Sequence, residues 1–167
     1  MSAFPTGVAV VTANGDDDQP VGATCSSLAS VSLAPLVLLV CLREGRTLDA
    51  VVNSGRFAVN LLRASGRGAA RLFAAPAADK FTKIRWSAWG QDGLPRLLDD
   101  AFATAGCRLR RTVEMGDHTV VFGEVREIRH RTGVPLLYGL RKFSSWPTTD
   151  LDAAAAPARA DQDGGPR

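Results

Sequence analysis

Nine consecutive apolar residues run from Ala34 to Leu42, and they constrain this chain more than any other stretch. The run is far short of the roughly 20 residues that a membrane-spanning helix needs. It also lacks the alternation of a strand with one wet face, and it is too short for a typical helix. Leu36–Leu42 therefore reads as a strand buried on both faces, with Pro35 at its start. Directly ahead of it lie four serines, Ser26, Ser27, Ser30 and Ser32, an unusual supply of small hydroxyls for a segment that feeds a core strand.

The rest of the chain repeats the pattern of short strands and tight turns. "GVAVVTA" (7–13) is rich in β-branched residues and is followed by the turn-forming "NGDDDQP", after which 21–24 begins a return strand. Thr47 is placed to N-cap a short helix carrying Leu48, Val51 and Val52 at helical spacing, with Gly55 as its stop. Residues 56–62 return to strand, and 65–75 predict a second short helix ended by Pro76. A looser stretch holds Trp86, Trp89 and a turn at "QDGLP". Residues 105–113 and 119–128, on either side of "EMGD", predict a long hairpin, and two more extended pieces reach Trp146. These elements predict a mostly β, antiparallel sheet closed into a barrel, with two or three short helices outside it.

At 167 residues, the chain fits one domain over 1–146. The Ala, Asp, Pro and Gly content of 147–167 predicts a disordered tail. With 46% hydrophobic and 22% charged residues, composition excludes a fibrous or wholly disordered chain. The start of the chain lacks a basic n-region and a small-residue cleavage site, so a cytoplasmic protein is expected. The three cysteines, Cys25, Cys41 and Cys107, have no CxxC spacing and only two histidines to accompany them, which argues against zinc and for buried thiols. A net charge of +3 suits an anionic ligand without selecting one.

Gly66-Arg67-Gly68 follows a strand and opens a helix, as a dinucleotide fingerprint would, but Arg71 stands where a third small residue is required. The serine segment has more to offer: small side chains let the backbone approach a flat ring, and their N–H and O–H groups donate to carbonyl or phosphate oxygens. The same serines could equally bond to local backbone in a solvated turn. Thr47 is either a plain N-cap or part of a helix terminus that favours phosphate. Alone, Lys80 reads as solvated surface and His118 as a structural histidine, the reading also given to His130.

Taken together, "FPTGVAVVT", "GATCSSLASVSLAPLVLLVCL", "RTL", "SGRFAVNLL", "DKF", "GDHTVVFGEV" and "PLLYGLRKF" resemble, in order and rough spacing, the flavin reductase domain family. These are the small reductase components of two-component flavin-dependent monooxygenases. The resemblance implies an FMN-binding split barrel of Greek-key type, a homodimer, and a reaction in which NADH or NADPH reduces FAD or FMN for a partner oxygenase. It also implies an extended loop holding the flavin through Thr24, Cys25, Ser26, Ser27, Ser30, Val31 and Ser32. Cys41, Leu42 and Arg43 are expected along the flavin, Arg46 and Thr47 near its phosphate, and Lys80 and Phe81 beside it. His118 matches a histidine at the nicotinamide site and is expected to position that ring. Two departures stand out: only three residues precede "FPTGV", where relatives carry a helix, and "LAPLV" replaces a more usual Asp-Pro-Pro.

Two other readings remain at this level. One is a split-barrel flavin binder that does not reduce free flavin. The other is a basic barrel for single-stranded nucleic acid, which wants aromatic platforms among its cations. Aromatics make up 7% of the chain, and the Arg-rich "RLRRTVE" and "REIRHRTG" contain none.

Overall fold

A two-residue strand β1 (Thr6–Gly7) leads into β2 (Ala9–Asn14), which turns through Asp16–Asp18 and pairs antiparallel with β3 (Pro20–Cys25) in the register Val11↔Ala23. The computed structural model describes residues 3–77 and 79–146, so the expected tail at 147–167 lies outside the described residues. β4 (Leu28–Leu33) and β5 (Leu36–Arg43) form the next hairpin; α1 (Arg46–Ser54) and β6 (Arg56–Leu62) follow. Gly55 stops α1 in the left-handed conformation at φ 67°, its N–H donating to the Val51 carbonyl at 3.0 Å, as a C-terminal glycine should. After α2 (Arg67–Ala74) come β7 (Trp86–Trp89), β8 (Leu94–Leu97), the long hairpin of β9 (Ala101–Met115) and β10 (His118–His130), then β11 (Leu136–Gly139) and β12 (Lys142–Ser145).

Seven strands make one antiparallel sheet in the order β3-β2-β6-β9-β10-β5-β4. Its two edges, β3 and β4, are consecutive in the chain, so the sheet curls until they meet at a corner. The Cys41 N–H, donating to the Ser27 carbonyl at 3.3 Å, ties that corner to β5. The curl brings the two edge strands together without a ladder between them, which shields edges that an open sheet must otherwise protect. Alternate residues point inward, and Val11, Val21, Val40, Phe57, Val59 and Val121 fill the interior with Leu48 and Val51 of α1. A second apolar layer lies outside, where Val8, Val10 and Leu62 meet Ala70 and Phe73 of α2, Leu97 and Leu136.

Three expectations need correction. Ser30 and Ser32 lie in a strand rather than an extended loop, since β4 pairs with β5 with a register shift between them, and only Ser26 and Ser27 form a short connection from β3. Small polar residues serve an edge strand whose outer face needs no apolar cover. β5 is not enclosed on both faces, since only Val40 and Leu42 are fully buried and Val37, Leu39 and Cys41 on the other face are half-buried. The looser stretch around Trp86 and Trp89 is an ordered hairpin, β7–β8, turned at Gly90 and Gly93 with φ of 74° and 61°. Buried Asn60 docks it: the amide donates to the Val10 carbonyl at 3.2 Å and the Thr12 hydroxyl at 3.1 Å, and its oxygen accepts from the Leu97 N–H at 3.1 Å. Among the described residues no helix is long and apolar enough to cross a membrane.

Candidate functional site

The outward face of β3 begins the site. Gly22 lies against the edge of the Phe73 ring of α2, and a Cβ there would meet Phe73 Cε1 at 2.9 Å. The glycine therefore sets how near helix and strand come. Two residues on, the Thr24 hydroxyl donates to the Ala70 carbonyl at 2.7 Å. Lys80, in the 3-10 turn Lys80–Lys83, donates from Nζ to the Gly22 carbonyl at 3.3 Å and the Phe73 carbonyl at 3.1 Å. Phe81 packs edge-on to Phe73 at 5.1 Å and to Trp86 at 5.5 Å. Together these contacts hold α2 and the following turn as one wall beside the barrel.

Between that wall and the end of β5 opens a cleft of about 650 Å³. Thr24, Cys41, Leu42, Arg43, Arg46, Thr47, Lys80, Phe81 and His118 all line it, so nine of the sequence-derived site residues come together. Thr47 is not the N-cap of α1. Gly45 takes that position with φ 140°, a conformation L side chains rarely adopt, and the helix starts two residues earlier than the hydroxyl suggested. Gly45 offers no side-chain cap, so the first-turn N–H groups and the positive end of the helix dipole stay available at the cleft. Burial, and secondarily the nearby Arg46 charge, hold the Lys80 ammonium below its usual pKa. An anion in the cleft would relieve that crowding.

The far rim carries a charged relay. Arg43 and His118 face each other across β5 and β10. Asp117 reaches both, with His118 Nδ1 2.8 Å from one carboxylate oxygen and Arg43 3.5 Å from the other. The His118 hydrogen bond, reinforced by the charges of His118 and Arg43, holds the exposed Asp117 carboxyl below the usual range.

The remaining expected residues lie elsewhere. Cys25 points into the barrel core, where burial raises its thiol pKa and the sulfur donates weakly to the Cys41 carbonyl at 3.6 Å. Ser27, Ser30, Val31 and Ser32 do not line this cleft, while Ser26 lines a second one. That second cleft, about 630 Å³, shares Thr24 and Ala74 with the first and is bounded by α2 and the β11–β12 turn. Gly66, the false start of a dinucleotide fingerprint, is small for another reason, since a Cβ would lie 2.9 Å from the Asp100 carbonyl. Sequence reading missed Gly22, Phe73 and Asp117. Only Asp117 left a local trace, beside the singled-out His118.

The first cleft fits a flavin in its donor chemistry: arginine and lysine with helix N–H groups at one end for phosphate, and Phe81 for an apolar ring face, while Leu42 meets the cleft's edge with its side chain in the core. A closed antiparallel barrel with such a cleft on its flank defines the class of split-barrel flavin proteins. Residues 1–147 match the flavin reductase like domain family, and the chain belongs to it. It is 50% identical over 147 residues to the flavin reductase (NADPH) of Lentzea aerocolonigenes, covering 87% of this chain and 86% of that one. The NADH:FAD oxidoreductase of Streptomyces globisporus C-1027, solved with NAD and FAD fragments, superposes with a TM-score of 0.80 at 33% identity, covering 88% of each chain. The styrene monooxygenase flavin reductase of Pseudomonas putida S12 gives a TM-score of 0.79 at 31% identity over 87% of this chain and 94% of that one.

Proposed function

We propose that this chain is an NAD(P)H-dependent flavin reductase that binds FAD or FMN in the first cleft and releases the reduced flavin to a partner monooxygenase. The observation that carries this reading is one cleft that joins free helix N–H groups and cations to an apolar wall, in a chain half identical to a flavin reductase. A bound flavin supplies the hydride acceptor and carries the electronic difficulty of the reaction. The protein's task is to orient two rings and keep water away, which requires no acid–base pair. In this reading Arg46 and the first turn of α1 take the phosphate, and Phe81 excludes water from the ring. His118, held by Asp117, borders the nicotinamide and positions it.

The test follows NADH and NADPH absorbance with purified protein, with and without FAD or FMN. Flavin-dependent consumption supports the reading, and a coloured protein that never consumes either nucleotide overturns it. His118→Ala should raise the KM for NADH several-fold and leave flavin affinity unchanged. An unchanged NADH KM removes the positioning role.

The reading extends to a homodimer. Val37 and Leu39 of β5 and Phe122 of β10 alternate with inward residues, so they share one outer face, with Leu39 opposite Phe122. Half-buried apolar residues in adjoining ladders suit an isologous contact. Leu39→Lys should shift the protein to monomer by light scattering with its circular dichroism intact. A wild-type monomer at micromolar concentration would count against the dimer. The three free cysteines suit the cytoplasm, where thiols stay reduced.

A further inference from the structure

A third cavity, about 330 Å³, opens where β8 and the turn after it meet the start of β9 and the end of β10, and it shares no lining residue with either cleft described above. Four arginines line it: Arg85, Arg96, Arg129 and Arg131. Among the described residues Asp99 is the one carboxylate on the same wall, and it pairs with Arg85, accepting from Nη1 at 3.1 and 3.2 Å. Four guanidinium groups against one carboxylate leave three net positive charges around a small space.

Two of the remaining guanidinium groups are held in place. Arg131 donates from Nε and Nη2 to the Ala101 carbonyl at 3.1 and 2.9 Å, and from Nη2 also to the Leu98 carbonyl. Those carbonyls fix the group without neutralising it. Arg96 enters from β8, and its Nε is buried with no hydrogen-bond partner among the described residues. Burial first, then the charges of Arg129 and Arg131, hold the Arg96 guanidinium below its usual pKa. A buried donor without an acceptor and like charges brought together both cost stability. Nothing in the protein offsets that cost, since among the described residues neither Arg96 nor Arg129 forms a salt bridge.

An anion would offset it. Guanidinium forks match the oxygens of a phosphate, and donors fixed in advance lose little freedom when they bind one. The cavity sits at the low end of the roughly 300–1,000 Å³ usual for small-ligand sites, so it suits a compact ligand rather than a protein surface. It also holds more than charge: the Phe102 ring stands edge-on to His130, centres 6.1 Å apart, and both line the same space.

We propose that this third cavity is a phosphate site, filled by the phosphate of a small ester whose carbon skeleton lies against Phe102, with Arg96, Arg129 and Arg131 as the donors. The site lies outside the flavin and nicotinamide contacts and does not depend on the reductase reading. A free phosphate ion shares the same recognition chemistry, and the choice of probes separates the two sources.

Inorganic phosphate and phenyl phosphate are the probes, titrated by calorimetry into the full chain, into Arg129→Gln and into an Arg96→Gln/Arg129→Gln double variant, with Arg46→Gln as the control for the first cleft. Phenyl phosphate should bind wild type and Arg46→Gln alike, several-fold more weakly to Arg129→Gln, and tenfold or more weakly to the double variant, with flavin affinity unchanged in both cavity variants. Arg129 is exposed, so the single variant carries the test should the double variant fail to fold. Phenyl phosphate binding several-fold tighter than inorganic phosphate assigns the site to an ester, and equal affinity removes the ester from Phe102 and leaves free phosphate as the ligand. The proposal is overturned if neither probe binds, if the cavity variants bind both as wild type does, or if Arg46→Gln alone abolishes binding. It also falls if benzoate binds as tightly as phenyl phosphate, because charge alone, and not a phosphate, would then be recognised.

Discussion

The two faces of the same strands make opposite environments. On β3 and β5 the inward residues Val21, Cys25, Val40 and Leu42 enter a dry interior, while the outward Gly22, Thr24 and Cys41 border a cleft with three cations around it. The interior is specified by volume, and the cleft by what stands across from each strand. Gly123 and Gly22 show the difference. A Cβ on Gly123 would run into the buried Phe57 ring and lie 3.0 Å from Cys107 Cβ, with no free space to receive it. A Cβ on Gly22 would press on Phe73 of α2 and lie 3.1 Å from the Val11 carbonyl, a milder clash than the one at Gly123.

Gly123→Ala should have the largest effect, about 3 kcal/mol of lost stability, at the upper end of core overpacking. Gly22→Ala should cost less, about 1–2 kcal/mol. Its main consequence should be a flavin Kd raised several-fold, as α2 and the Lys80 anchor move away from the cleft. Denaturant melts and flavin titrations of the two variants check the contrast. If Gly22→Ala melts like wild type and binds flavin as wild type does, the approach of α2 to β3 does not set the site.

The next effect is one of pH and belongs to the interior. Burial pushes the Cys107 thiol up to about 12 from 9.0, so the folded state resists its ionisation. A raised folded pKa means the stability it contributes is whole below about pH 9 and is lost as pH rises toward about 12. At about pH 10.5 the loss is about 2 kcal/mol. Cys107→Ala should lack this share of the alkaline loss when urea melts at pH 8 and pH 10.5 are compared. The buried Cys25, whose thiol is also raised by burial, accounts for a further part in both proteins. Equal alkaline losses in wild type and Cys107→Ala would mean that water reaches the barrel interior.

What the sequence made legible follows the same division between local and non-local causes. The β9–β10 hairpin could be read because its turn residues, Gly116 with φ 64° and Asp117, sit within the segment itself. The stop of α1 at Gly55 was legible for the same reason. β7–β8 was not, because its order comes from Asn60, more than 30 residues earlier in the chain. β4 was taken for a loop because serines weaken strand propensity, and only pairing with β5 makes it a strand. Within the site, residues brought by resemblance to β5, α1 and the Lys80 turn do meet in one cleft. Cys25 does not reach it, because the side-chain alternation that turns Thr24 outward turns Cys25 into the core. Gly22 and Phe73 left no local sign, since a glycine's reason lies in what approaches it.

The smallest effect reads the two faces directly through the three thiols. Cys25 and Cys107 are fully buried, whereas Cys41 is half-buried and lines the first cleft. Thiol reaction with an aromatic disulfide requires an accessible thiolate, so in the native protein Cys41 should react first and the other two only at the rate of opening. Cys41→Ser should remove the fast phase and leave the slow ones. Saturating FAD or FMN should slow Cys41 several-fold if the flavin ring lies along β5, because the bound ring covers the sulfur without touching the interior. A fast phase that persists in Cys41→Ser would mean that the barrel opens at its Ser26–Ser27 corner. A fast phase that flavin leaves unchanged would move the ring away from β5 and toward the face of β3 that Thr24 and Ala74 share with the second cleft.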